Sequence, residues 1–162
     1  MKKEIKFRGK REDNGEWVCS GNIIHFNEGN EFYIPVQDSK CICTHDKNEN
    51  IIEIETSQGR FYKVIPETVG QYTGLIDRNG TKIFEGDILK HYVQSDVLIN
   101  TGVVNWDSKN ARWALQLNTM NPCFYLHKPE TVEVIGNIYD NHELLEREET
   151  ILNAYTERDG ER

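Results

Sequence analysis

The sequence lacks most of what would place it in a familiar functional class. No apolar run approaches the ~20 residues of a membrane-spanning helix. The charged start MKKEIKFRGKR is not followed by the apolar segment of a secretory leader. The expectation is a cytoplasmic protein with no membrane partner, whose four cysteines, Cys19, Cys41, Cys43 and Cys123, are free thiols. No serine sits in G-x-S-x-G, and neither a P-loop nor G-x-G-x-x-G is present. The histidines are scattered, without the spacing of a metal-binding helix. A basic excess is missing too: the formal net charge is −8, which opposes broad binding to nucleic-acid phosphates. No long helical pattern lies within residues 1–140, which argues against a parallel α/β sheet.

What is present is a chain of 162 residues, 37% hydrophobic and well supplied with aromatics. That suits a globular core, in one domain or two small intertwined ones. Short β-branched and aromatic segments alternate with turn signals. Ile5 and Phe7 point one way and Lys6 and Arg8 the other, the period of a half-buried strand. Turns are expected at Asp13-Asn14-Gly15, Asn27 to Asn30, Ser57-Gln58-Gly59, Asp77-Arg78-Asn79-Gly80 and Asp107 to Asn110. Strands this short, spaced by such turns, predict an all-β fold of antiparallel hairpins, a barrel or sandwich.

The C-terminus differs. Asp140 or Asn141 can cap a helix, with Glu143 placed as a capping-box acid. Leu144, Leu145, Ile151, Leu152 and Tyr155 fall on one helical face. The expected organisation is a β-hairpin region over residues 1–70, a barrel region continuous with it over 71–142, and a short helix with an acidic tail over 143–162. That last segment holds seven acids against three bases, a balance of −4.

The tetrapeptide Pro-Glu-Thr-Val occurs twice, at Pro66–Val69 and Pro129–Val132. Proline fixes φ and lacks a donor, whereas Thr-Val favours extended backbone. Each copy reads as a turn that delivers a strand. Gly70, Gly74 and Gly136 nearby allow a bulge or a close backbone approach. The flanks share only a glycine and a short apolar segment ending in Asp, so one local device used in two places is favoured over duplication.

Three stretches carry a family resemblance: IKFRGKREDNGEWV at residues 5–18, VIPETVGQYTGLIDRNGTKIFEGDIL at 64–89 and VEVIGNIYDNHELL at 132–145. In this order the chain resembles the YopX family, encoded largely in bacteriophages and prophages. The middle stretch is the most specific, being long and unusual in its mix of turn residues and aromatics. His142 departs from the family, which often has proline there. The resemblance implies a mostly-β protein with an SH3-like barrel around the Gly86-Asp87-Ile88 strand. It implies a phage or prophage setting, and it carries no catalytic residues.

The remaining constellations each have two readings. Cys41 and Cys43 share a strand face, with His45 close by. Zinc sites use C-x₂₋₄-C and four ligands, so two small strand residues are the favoured reading. Glu85 and Asp87 alternate onto one face, and Asp77 could approach them as a carboxylate cluster; turn and strand-approach residues are the simpler reading. Lys6, Arg8, Lys10 and Arg11 could track phosphates, with Trp17, Tyr33 and Tyr62 as stacking platforms. Lysine also guards a solvated edge strand, and the acidic body favours that reading.

The sequence therefore points to a noncatalytic binding or assembly module with no cofactor, acting on a host or phage macromolecule, with a host or phage protein as one candidate partner. Self-association through Ile151, Leu152 and Tyr155 into a homo-oligomer is expected. A nucleic-acid-binding accessory protein is the second reading. A hydrolase using Asp77, Glu85 or Asp87 is the third.

Overall fold

A computed structural model describes residues 4–26, 31–36, 43–45, 51–56, 59–93, 97–117, 123–126 and 128–145. The chain divides into two units, Met1–Gly74 and Leu75–Arg162. Both are antiparallel β structures, as the turn spacing predicts.

In the first unit, β1 (Phe7–Lys10) and β2 (Trp17–Ser20) form a hairpin with Lys10 opposite Trp17. Gly15 makes the turn: its φ is +74°, and its amide donates to the Arg11 carbonyl. A five-stranded sheet follows, built from β3 (Ile24–Phe26), β4 (Glu31–Val36), β5 (Cys43–His45), β6 (Ile51–Thr56) and β7 (Gly59–Val64). Its order is β3-β4-β7-β6-β5. Among its described side chains, Tyr33, Ile34 and Val64 are the buried apolar ones. A Cβ on Gly9 would stand 2.9 Å from the Val64 side chain and 3.1 Å from Ile34. Glycine is thus what lets β1 lie directly on that core. The opposite edge of β1 pairs with β8 (Gly70–Ile76) through Phe7–Gln71 and Arg8–Gly70.

In the second unit, the Asp77 to Gly80 turn connects β8 to β9 (Lys82–Phe84), and Gly80 adopts the expected left-handed φ of +86°. Then come β10 (Asp87–Val93), β11 (Val97–Asp107), β12 (Arg112–Leu117), β13 (Cys123–Tyr125) and β14 (Val132–Asn137). They form one sheet in the order β13-β12-β11-β10-β14. Ile83, Leu89, Val104, Leu115, Leu117 and Val132 make its core, with Leu75, Trp113, Leu126 and Val134 packed against them. A bulge at Ile135 shifts the pairing from Leu89–Val134 to Ile88–Gly136. Gly136 is next to it, and a Cβ there would meet the Asn141 side chain at 2.5 Å.

Both Pro-Glu-Thr copies are 3-10 turns, Pro66–Thr68 and Pro129–Thr131, ahead of β8 and β14. The device is the same in each. The threonine hydroxyl donates to a carbonyl three residues back, Ile65 or Lys128, at 2.7 Å in both copies. The valine amide then donates to the proline carbonyl. In the first copy the hydroxyl oxygen of Thr68 also accepts from the Lys10 amide at 2.8 Å, tying the turn to β1.

Two local expectations are corrected. Glu85 and Gly86 form a tight turn rather than a strand approach: Gly86 has φ +79°, and its amide donates to Val104. The helical turn at 143–145 is not entered through an Asp140–Glu143 box. Asn137 organises it instead, accepting the Tyr139 and Asp140 amides and donating to the Asp140 carboxylate. Asn141 turns back to accept the Asn137 amide.

Gly102 marks a tight crossing of β11 and β12. A Cβ there would stand 2.5 Å from the Gln116 carbonyl oxygen and 2.9 Å from Leu117. Gly102→Ala should destabilise the protein by about 1–3 kcal/mol through overpacking. A lower urea midpoint with an unchanged slope is the expected result.

Candidate functional site

Of the three carboxylates singled out by sequence, Asp77 and Asp87 are held by backbone amides. Asp77 is 5% exposed. Its Oδ1 accepts the Asn79 and Thr81 amides at 2.8 Å each. Its Oδ2 accepts the Val134 amide at 2.9 Å, and the neighbouring Arg78 amide donates to the Val132 carbonyl. The turn thereby grips the outer edge of β14. Burial pushes the Asp77 carboxyl up, but the Val134, Thr81 and Asn79 bonds together hold it below the usual carboxylate range. Asp87, 1% exposed, accepts the Phe84 amide at 2.7 Å across the Glu85-Gly86 turn. Asp77 and Asp87 thus bind separate sets of amides, and Glu85 sits in the turn between β9 and β10.

The basic strand is engaged in a similar way. The Arg8 guanidinium lies 4.8 Å over the Trp17 ring and that of Arg11 lies 3.8 Å over Tyr62. Arg11 also binds Asp13 and approaches Glu16 at 3.8 Å. Its pKa is raised, first by the Asp13 hydrogen bond. Lys6 pairs with Glu4 at 2.7 Å. The Lys10 amide serves Thr68. Tyr33 is 3% exposed, so of the three proposed platforms one is buried and two carry an arginine of their own chain. Lys63 lies between Glu31 at 2.9 Å and Glu12 at 3.2 Å.

On the strand β5, Cys43 stands opposite Ile54 and His45 opposite Ile51. Cys41 lies outside the described residues, as do Ile151, Leu152 and Tyr155. Cys19 is exposed on β2, and Cys123 opens β13 opposite Gln116.

Sequence reasoning passed over a third cluster, at the end of the β11–β12 hairpin. Trp106 is opposite Trp113, the rings meeting edge to face at 5.1 Å. Arg112 lies 3.0 Å over Tyr125 and pairs with Asp107 at 3.4 Å. Trp106 remains 48% exposed and Tyr125 47%. Asp107 ties the tip together, accepting the amides of Lys109 and Asn110 and the Asn110 side chain. Ala111 takes a left-handed φ of +51°, strained for any residue but glycine by about 1–2 kcal/mol. A tryptophan on each side of a turn, W-D-S-K-N-A-R-W, was the available signal.

A groove of 490 Å³ lies beside β11 and β12 in the same unit. Val103, Asn105, Gln116 and Leu117 line it together with Ile138, Tyr139, His142 and Leu145 from the segment after β14. Asn105 donates to Gln116 at 2.9 Å. In the first half of the C-terminal apolar stripe, Leu145 is 7% exposed and Leu144 is half-buried.

The family model described as YopX protein matches residues 6–146. No curated protein matches the chain. The crystal structure of protein EF1440 from Enterococcus faecalis is 23% identical, over 87% of this chain and 97% of that one, with a TM-score of 0.42. Among the described residues no helix is long and apolar enough to cross a membrane.

Removing the Asp77 charge should reveal its structural part. Asp77→Asn leaves the Val134 amide without its acceptor, which should cost about 2–3 kcal/mol near pH 7. Because folding lowers the Asp77 pKa, its contribution is complete above the unfolded value of about 3.9 and fades as pH falls through the folded one. Urea midpoints of wild type and variant should therefore converge below about pH 3.9. A gap that stays constant on acidification would contradict the assignment.

Proposed function

We propose, from the premise that this chain belongs to the YopX family, that it is a noncatalytic binding or assembly module. It works in the cytoplasm of a bacterial host, in a phage or prophage setting. The observation that carries the reading is the hairpin end formed by Trp106, Arg112, Trp113 and Tyr125. Tryptophan, tyrosine and arginine are the residues enriched where protein interfaces hold most of their binding energy. Here they are ordered by their own contacts, 5.1 Å between the tryptophan rings and 3.0 Å from Arg112 to Tyr125. Little ordering entropy is then left to lose on binding. The partner is a host or phage protein, and the module forms homo-oligomers.

The engagement of Asp77 and Asp87 by backbone amides supports a structural rather than a hydrolytic role for them. It also supports an SH3-like barrel in the second unit, since Asp77 joins the β8–β9 turn to the far edge of the sheet. Arg8 and Arg11, stacked on Trp17 and Tyr62, support a structural role for the basic strand. Binding to DNA or RNA should accordingly be weak and vanish near physiological salt. A complex that survives such salt and is lost in Lys6→Ala/Arg8→Ala would reverse this.

Capture from host cells after prophage induction, repeated with Trp106→Ala/Tyr125→Ala, tests the protein-binding reading. A protein held by the wild type should bind the variant at least about tenfold more weakly in purified form, with the far-UV spectrum unchanged. Equal binding by the two would contradict the role of the hairpin end.

A further inference from the structure

The face of the β11–β12 hairpin opposite to Val104 and Leu115 carries bonding capacity that the described residues leave unused. Alternation puts Val103, Asn105 and Asp107 of β11 there, with Arg112, Ala114 and Gln116 of β12. Tyr125 of β13 joins them opposite Ala114. Arg112 lies 3.0 Å over the Tyr125 ring, and its Nε donates to Asp107 at 3.4 Å. Among the described residues its two terminal nitrogens have no hydrogen-bond acceptor. The Asn105 Nδ2 donates to the Gln116 Oε1 at 2.9 Å. That leaves the Asn105 Oδ1 as an acceptor and the Gln116 Nε2 as a donor, the complement of one peptide group. We infer that this face holds an extended segment of a partner protein, with an Asp or Glu on Arg112, a peptide group on Asn105 and Gln116, and an apolar side chain in the groove beyond them. This rests on the protein-binding reading above and names the chemistry of the partner.

Charge selects the acid. Residues 97–126, which span β11 to β13, hold one acid, Asp107, against Lys109 and Arg112, a balance of +1 in a chain of −8. Asp107 is already taken up by the Lys109 and Asn110 amides, the Asn110 side chain and Arg112. A guanidinium fork fixed over a ring matches the two oxygens of a carboxylate and has little ordering entropy left to lose. Two cations are too few to hold a nucleic-acid backbone. Spacing selects the extended chain. From Arg112 to Gln116 the strand rises about 14 Å. A partner running along it therefore brings its acid and its apolar residue about four positions apart. The groove starts at Asn105 and Gln116 and continues to Val103, Ile138 and Leu145. Tyr139 and His142 make the rest of its lining half polar, which suits one apolar side chain beside a hydrogen-bonded backbone and not a continuous apolar stripe.

Panning a displayed library of short random peptides against the full chain tests this. Enriched peptides should carry Asp or Glu about four positions from Leu, Ile, Val or Phe. The best of them, made synthetically, should bind at least about tenfold more weakly once its acid is replaced by the matching amide, and so should the original peptide to Arg112→Gln. The two changes together should cost no more than either alone. Arg112→Lys keeps the charge without the fork and should not restore binding. Gln116→Ala, at an exposed position, should weaken the same peptide with the urea midpoint unmoved, a readout independent of any unfolding caused at Arg112. Peptides that contain no acid, and that bind Arg112→Gln as well as wild type but lose Trp106→Ala/Tyr125→Ala, would overturn this inference and leave the protein-binding reading standing. A library from which nothing is enriched would overturn it too. A wild type that is dimeric in light scattering, and monomeric as Arg112→Gln, would make a second copy the occupant and likewise overturn it.

Discussion

One buried carboxylate holds the second unit together. Asp77 ends β8, turns the chain into β9, and reaches 57 residues along the sequence to take the Val134 amide. An edge strand otherwise presents unpaired donors and acceptors to any other strand. Here Asp77 and the Arg78 amide occupy that edge at Val134 and Val132. The Glu85-Gly86 turn works beside it: Gly86 donates to Val104 and accepts from Ile138, so β11 and the segment after β14 are bonded through one glycine. The stretch most specific to the family is thus a set of backbone clamps. Two of its acids, Asp77 and Asp87, accept backbone amides.

The distribution of charge follows the same logic. A protein with 19 lysines and arginines against 27 acids has placed several of its arginines over its own rings. Arg8 covers Trp17, Arg11 covers Tyr62, Arg78 covers Tyr92 and Arg112 covers Tyr125. At the first two sites the stack lies against a strand and fastens it. At the last the tyrosine stays half exposed, beside an exposed tryptophan and a strained Ala111. Strain kept at a surface tip is a reason to look there for binding. The same cation–π contact therefore fastens strands in the first unit and, at Arg112, lies on a half-exposed ring in the second.

The hairpins could be read from the sequence wherever a turn demanded positive φ, because only glycine meets that demand without strain. Gly15 and Gly80 are the clear cases, at +74° and +86°. The Pro-Glu-Thr-Val pair was legible as a turn feeding a strand, since proline and β-branched residues act locally. Gly86 was missed because Glu-Gly-Asp alternates as a strand would, and its turn is bonded to Val104 and Ile138, both distant in sequence. The site was the least legible part. Whether an aromatic is a platform or a support depends on which arginine lands upon it, and that is set by strand register. Trp17 and Tyr62 were thus named, and Trp106 and Tyr125 were not. Asp77 was recognised as a turn residue, but its third bond crosses half the unit and leaves no local trace.

Hydrogen exchange at the Val134 amide tests the central role of Asp77 most directly, because that amide has a side chain rather than a strand as its acceptor. By nuclear magnetic resonance near neutral pH, it should be protected to the same degree as the amides paired between β10 and β14. The Asn79 and Thr81 amides should also exchange more slowly than those of an open turn. A Val134 amide that exchanges at the rate of an unpaired edge position would contradict the clamp.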